Sequence, residues 1–383
     1  MIPKSLFLVI ILLFSCTDTT INKSKSETVI KKDTIVKPKI DSLSFFFMGD
    51  IMGHKPQINA AFDAKTKTYN YENVFSEVCP IISKVDVAVA NLEVTLPGSR
   101  YSGYPNFRSP DALAVAARDY GIDVLVTANN HSCDSGKKGI LRTIKVLDSL
   151  EIKHTGTFKD SLARTKQNLL IFNQNNIKVG LLNYTYGTNG IPIPSTVKVN
   201  LIDTLQINTD IKQAKKEQLD KLLVMLHWGN EYQSLASKKQ KKLAHYLFNK
   251  GVDIIIGSHP HVLQPMVYEK DSVSGKEKLI AYSLGNYVSN QEPRRRDGGA
   301  MFRFTLQKEN GKTRIASKGY YLTYIYKPIK DGKKEYIIIP CTDYEKHNYY
   351  EMNTFWQSKF KTFVKDSRKL FKKHNIGIEE LKE

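Results

Sequence analysis

Short apolar runs recur along the chain, and each closes on a polar residue. Phe45-Phe46-Phe47-Met48 leads into Gly49-Asp50, Val87-Ala88-Val89-Ala90 into Asn91-Leu92-Glu93, and Val124-Leu125-Val126 into Thr127-Ala128-Asn129-Asn130-His131. Val224-Met225-Leu226 runs into His227, and Ile254-Ile255-Ile256 into Gly257-Ser258-His259-Pro260-His261. Apolar, β-branched runs of this length predict buried parallel strands, whose carboxyl ends are where open α/β sheets hold their ligands. Helical periodicity falls between them, at Asn73 to Ser83, Pro110 to Tyr120, Lys137 to Leu150, Thr209 to Leu219 and Ser237 to Lys250, and such alternation marks a layered α/β sheet. From Leu263 the pattern turns to strand after strand: 263–269, 278–283, 300–307, 313–322 and 335–339. These predict a second, more antiparallel sheet behind the first. The expected fold class is α/β, a layered β-sandwich flanked by helices.

The ends of the chain read differently. Met1-Ile2-Pro3-Lys4, the apolar stretch Leu6 to Phe14 and then Ser15-Cys16 match an export signal too short to span a bilayer as a mature helix. Leu13-Phe14-Ser15-Cys16 resembles a bacterial lipobox, which implies cleavage before Cys16 and a lipid on its sulfur. Phe14 departs from the small residue usual there, so plain secretion is the alternative. Residues 17–40 are rich in Ser, Thr, Lys and Asp and predict a flexible tether. A large body, 41–344, and a basic, helical, peripheral tail, 345–383, complete the expected organisation.

Charge alters the picture only a little. Lys and Arg number 57 against 38 Asp and Glu, a formal net charge of +19. The lysines are scattered and are not interleaved with a nucleic-acid-binding motif, so nucleic acid is not expected as a partner. A basic surface on an exported protein also suits anionic lipid, anionic polymers or phosphorylated substrates. Beyond Cys16 only Cys79, Cys133 and Cys341 remain, an odd set that argues against a disulfide framework or a thiolate metal site.

The polar residues at the strand exits carry the candidate chemistry. Asp50 alone would suit a helix cap, Glu93 a salt bridge and His227 a satisfied core position. Together with His259, His261 and the neutral oxygen of Asn130 they form a mixed imidazole and oxygen set that suits zinc, manganese or iron rather than calcium. His131 stands beside Asn130 as a candidate general acid, and Asp134 is near enough to accept its second ring proton. Asn286 with Arg294-Arg295-Arg296 offers a clamp for an anionic substrate, guanidinium donors matching carboxylate and phosphate oxygens; an exposed basic loop is the plainer alternative.

Gly49-Asp50-Ile51-Met52, Asn91-Leu92-Glu93, Ala128-Asn129-Asn130-His131, His227-Trp228-Gly229-Asn230-Glu231-Tyr232, Gly257-Ser258-His259-Pro260-His261-Val262-Leu263-Gln264 and Tyr282-Ser283-Leu284-Gly285-Asn286-Tyr287 resemble the ordered motifs of the CapA family, named for poly-γ-glutamate capsule synthesis. The resemblance runs from about Leu43 to Phe304 and implies a fold similar to calcineurin-like metallophosphoesterases. It also implies one or two divalent ions on Asp50, Glu93, Asn130, His227, His259 and His261, with His131 as the acid. Met52 stands where the wider pattern has its first histidine, and a thioether is a poor ligand for a hard ion. His54 is the substitute ligand that this departure suggests. The expected protein is an exported lipoprotein acting by hydrolysis on an anionic capsule polymer or phosphorylated substrate, with polymer synthase components as possible partners. A non-catalytic assembly component and a periplasmic phosphoesterase are the alternatives.

Overall fold

The structure is a computed structural model that describes residues 40–330 and 332–382. The export signal, Cys16 and the tether up to residue 39 lie outside the described residues.

Two mixed sheets face one another. The first runs in the order Ile337–Pro340, Lys312–Tyr326, Gly298–Glu309, Asp41–Ile51, Val87–Leu92, Val124–Val126, Lys153–Thr155. The second runs Leu263–Lys270, Glu277–Leu284, Ile254–Ser258, Lys221–His227, Ile177–Thr185, Leu170–Gln174. In each, the parallel strands adjoin one another and antiparallel strands extend the sheet. The late strands therefore do not make a sheet of their own, as their succession along the chain suggested. Leu263–Lys270 and Glu277–Leu284 join the second sheet, while Gly298–Glu309 and its successors add to the first. Hairpin-linked strands pair locally whichever sheet edge is open to them, and the sequence pattern does not say which edge that is.

Both faces of the central strands are buried, which is why their sequences are apolar throughout rather than alternating. Phe45, Phe47, Val89 and Val126 point between the sheets and meet Val179, Leu181, Met225 and Ile256 of the other layer. Their neighbours Phe46, Met48, Ala88 and Leu125 point outward against Leu113, Ala117 and Leu147 of the helices. On the far side Leu182, Val224, Leu226 and Ile255 pack against Ile207, Ile211, Leu247 and Phe248. Each such side chain removed from water contributes about 1.5–3 kcal/mol before ordering entropy is counted. The sandwich is thus held from three apolar layers.

Most helices fall where the periodicity placed them, with two differences. The segment expected as Asn73 to Ser83 is broken into Glu72–Phe75 and Cys79–Ile82, because Pro80 fits only a first turn and cannot continue a helix through its own position. The fourth helix starts early, as Thr204–Lys216, since the Asp203 side chain accepts from the Leu205 and Gln206 amides and caps it. No helix among the described residues is long and apolar enough to cross a membrane.

The C-terminal tail is not peripheral. Helix Thr354–His374 buries Phe360, Phe363, Val364 and Phe371 in the main core, and Glu379–Glu380 adds a short parallel pairing to Gly319 and Tyr320. Its basic residues face out while an apolar stripe at helical spacing faces in. Phe371 meets the Tyr320 ring edge-on at 4.6 Å. Phe371→Ala is expected to destabilise the protein by about 3–5 kcal/mol, read as a lowered midpoint in urea; a loss below about 1 kcal/mol would mean that the tail is detached in solution.

Candidate metal centre

Every strand exit singled out in the sequence opens on the same end of the sandwich. Pairing brings Asp50 beside Asn91 in the first sheet and His227 beside Ser258 in the second. Asp50 reaches its position through a tight approach of backbone. Its amide donates to the Gly285 carbonyl at 3.1 Å, and a Cβ on the preceding Gly49 would meet that carbonyl oxygen at 1.9 Å. Glycine at position 49 is thus a steric requirement.

Asp50 and Glu93 are both fully buried. The Asp50 Oδ1 accepts from Asn91 Nδ2 at 2.8 Å, and its Oδ2 lies 3.2 Å from His261 Nδ1 and accepts from the His259 amide at 3.2 Å. Glu93 Oε1 sits 3.5 Å from His227 Nε2 and 3.8 Å from His261 Nε2. Neither Glu93 oxygen has a hydrogen-bond partner, nor does His259 Nδ1. Burial, and then the Asp50 carboxylate beside it, push the Glu93 carboxyl well above its ordinary range; burial, and then His259 and His261, hold His227 well below its own. Unpartnered buried polar atoms of this kind are rare in folded proteins and call for an explanation.

Ligand atoms of Glu93, His227 and His259 lie within 4.8 Å of one another, and so do those of Asp50, Glu93 and His261. These two groups share Glu93, and a third, Glu231 with His259 and His261, meets the same distance at the exposed edge of the centre. A divalent cation in either buried group would give the orphaned oxygens the positive charge they lack, so the residues present fit such an ion. Asn130 adds its Oδ1, 2.8 Å from His227 Nε2.

His54 joins none of these groups among the described residues. It caps helix Lys55–Ala61, with Nδ1 3.1 Å from Gln57 Oε1 and 3.3 Å from the Asn290 amide. Met52, two residues earlier, is buried in the apolar core with Phe46 and Met48.

His131 is held apart from the ligand groups. Its Nδ1 lies 2.7 Å from Asp134 Oδ2, the same oxygen that accepts the Phe107 amide at 2.5 Å. The Phe107 ring stands edge-on at 4.5 Å. With Nδ1 engaged by the carboxylate, Nε2 is the nitrogen left to exchange a proton with a ligand.

The arginine loop separates into three roles. Arg294 is bound bidentately by Asp366 of the C-terminal helix, with one oxygen at 2.6 Å. Arg295 lines a 260 Å³ cleft against that helix with Lys369 and Lys373. Arg296 alone turns toward the centre, its guanidinium carbon 3.3 Å from the Tyr232 ring centroid. Asn286 ties the loop to the ligands, since its Oδ1 meets His261 Nδ1 at 3.0 Å while its Nδ2 donates to the Arg296 carbonyl at 2.8 Å.

Three residues with a place here were given no role from sequence, although Asn91 and Tyr232 lie within the quoted motifs. Asn91 donates to Asp50 and lies 3.2 Å from His227 Nδ1, cross-linking the two sheets; strand alternation puts it on the same face as Glu93, a signal that was there to read. Tyr186 packs on His259 at 4.5 Å, and Tyr232 lies 6.3 Å from His261.

Lys327 is buried behind the loop, donating to the Gln291 carbonyl at 2.8 Å. Burial lowers its ammonium to about 8, against the pull of Glu292 and Asp297. Between that value and the ordinary lysine range the unfolded chain holds the extra proton, so stability rises with pH there. Urea midpoints are expected to climb from pH 8 to pH 10, by at most about 1.4 kcal/mol per pH unit, and Lys327→Met is expected to flatten the climb. A slope that survives the substitution would place its origin elsewhere.

A family model described as "Bacterial capsule synthesis protein PGA_cap" matches residues 44–291. The capsule biosynthesis protein CapA of Bacillus anthracis is 30% identical over 288 residues, 71% of this chain and 65% of that protein. The PGA biosynthesis protein CapA of Bacillus subtilis (strain 168) is 29% identical over 288 residues, 72% and 70% respectively. The match thus spans about two thirds of each curated relative. Similar solved structures include the NAD nucleotidase of Haemophilus influenzae, with 14% identity, a TM-score of 0.48 and coverage of 89% of this chain and 57% of that one. The calcineurin-like phosphoesterase YfkN of Bacillus subtilis is 14% identical with a TM-score of 0.44, covering 86% and 99%. Likenesses at that level say nothing about shared chemistry.

Proposed function

The chain belongs to the bacterial capsule synthesis family described as PGA_cap, and from that membership we propose that it hydrolyses bonds in an anionic, poly-γ-glutamate-like capsule polymer at a centre built for a divalent cation. The observation that carries this reading is Glu93, a fully buried carboxylate whose two oxygens have no hydrogen-bond partner and which lies between His227 and His261.

Asp50, Glu93, His227, His259 and His261, with the Asn130 oxygen, would hold the ion; zinc, manganese and iron all suit such a set. When bound, it would supply Lewis acidity toward a carbonyl or phosphoryl oxygen and lower the pKa of water. The chain's own groups do the rest. Asn91 and Ser258 orient the His227 ring through its Nδ1, and Asn286 orients His261 in the same way. Asp134 accepts the His131 Nδ1 proton and so favours the doubly protonated ring, which gives its Nε2 proton to the leaving nitrogen or oxygen as the bond breaks. Phe107 packs against that ring and limits the positions it can take.

In the same proposal the protein is exported and tethered to a membrane through a lipid on Cys16, with polymer synthase components as neighbours. The test is metal analysis of the purified protein joined to a screen of γ-glutamyl oligomers and phosphodiesters. Metal together with release of glutamyl units supports the proposal. Metal with no turnover on either class favours a non-catalytic assembly role, and turnover confined to phosphodiesters favours a phosphoesterase.

A further inference from the structure

The rim of the centre carries two opposite charges that the hydrolytic step leaves unused. Glu231 and Tyr232 follow the strand that ends at His227. Glu231 is exposed, whereas Asp50 and Glu93 are fully buried, and a Glu231 oxygen lies within 4.8 Å of ring nitrogens of both His259 and His261. Tyr232 has a backbone φ of +65°, a region bulky L-residues rarely enter. Its amide donates to the Pro260 carbonyl at 2.8 Å, so the turn bearing the two histidines sets that conformation. Arg296 stacks on the Tyr232 ring at 3.3 Å, and its carbonyl is held by Asn286, which also contacts His261. Carboxylate and guanidinium are therefore both mounted on groups that position the centre.

Such a rim is a poor match for a purely anionic ligand, because an exposed carboxylate repels phosphate and carboxylate alike. It matches a unit carrying an ammonium and a carboxylate together. In a γ-linked glutamyl chain the interior units have their nitrogen in neutral amides, and the carboxyl-terminal unit has no ammonium. Only the amino-terminal unit offers both charges on one carbon.

We propose that Glu231 and Arg296 form a subsite for the free α-amino acid end of a γ-glutamyl chain, Glu231 receiving its ammonium and Arg296 its α-carboxylate, so that the centre engages chain ends. This subsite rests on the polymer reading above. Burial, and then the adjacent Glu231, push the Tyr232 phenol up to about 12, which leaves its ring a neutral platform for the guanidinium at working pH.

Calorimetry on the metal-loaded, full-length protein tests it, with γ-glutamyl-glutamate, its N-acetyl form and inorganic phosphate as probes. The free peptide is expected to bind at least about 10-fold more tightly than the acetylated one, the scale of one charge-assisted contact. Glu231→Gln is expected to erase that preference with metal content unchanged, and Arg296→Gln to weaken both peptides by a similar factor. Equal binding of free and acetylated peptide by the wild type would overturn the subsite while leaving the polymer reading intact. A Glu231→Gln protein that loses metal would make Glu231 a ligand instead and overturn it too. Binding of phosphate with neither peptide bound would remove the subsite and the polymer reading together.

Discussion

Glu93→Gln is expected to abolish tight metal binding while making the metal-free protein harder to unfold. The carboxylate belongs to the two fully buried candidate ligand groups, so its loss weakens both at once. Outer partners of a metal site typically control about 10–100-fold in affinity, and a shared inner ligand is expected to exceed that range. The second half of the prediction comes from burial. Both Glu93 oxygens are unpartnered and the residue is fully buried, and an uncompensated charge in that setting opposes folding more strongly than a neutral amide of the same shape. Metal affinity by competition with a chromophoric chelator, and thermal melts in excess chelator, measure the two halves separately. A variant that keeps the parent's affinity, or melts lower without metal, would remove Glu93 from the role given to it.

His131→Ala is expected to lower turnover about 100- to 10,000-fold, the usual weight of a general acid, with metal content retained. Retention is the discriminating part. His131 belongs to neither of the ligand groups that share Glu93, and its Nδ1 is engaged by Asp134 at 2.7 Å. Loss of the ring therefore removes a proton donor and leaves the ion's ligands in place. Asp134→Asn should act in the same direction, because a neutral amide at Nδ1 no longer favours the doubly protonated ring that donates from Nε2, and the bond from the Phe107 amide is weakened. Loss of metal from the His131→Ala protein would make that residue a ligand and end its assignment as the acid.

The strands and most of the helices were legible because their signals are local. Phe45 to Met48 and Ile254 to Ile256 announce strands by composition alone, and Ser237 with Gln240 announces a helix start through a reciprocal cap. Residues whose meaning depends on a distant partner were not legible. Arg294 reads like Arg296, three arginines in a row, until Asp366 is found 72 positions away holding the first of them. His54 sits close to Asp50 in the chain, yet helix Lys55–Ala61 begins there and turns its ring toward Gln57. The tail looked like a solvated basic helix, since lysine spacing dominates its composition while the four buried apolar positions show only as a stripe.

By itself, then, the order of residues determined which segments become strands and helices, and that each strand would end in a donor, because both follow from side-chain periodicity and backbone preference within a few residues. The meeting of Asp50, Glu93, His227, His259 and His261 at one end of the sandwich was expected from those strand exits and is supplied by the tertiary structure, which alone decided that Asn91 bridges the two sheets and that one of the three consecutive arginines faces the centre. Those outcomes depend on which sheet edge each strand joins and on distant contacts such as that between Asp50 and His259, 209 positions apart. Chain connectivity permits many such closures, and the packing of the apolar layers selects one.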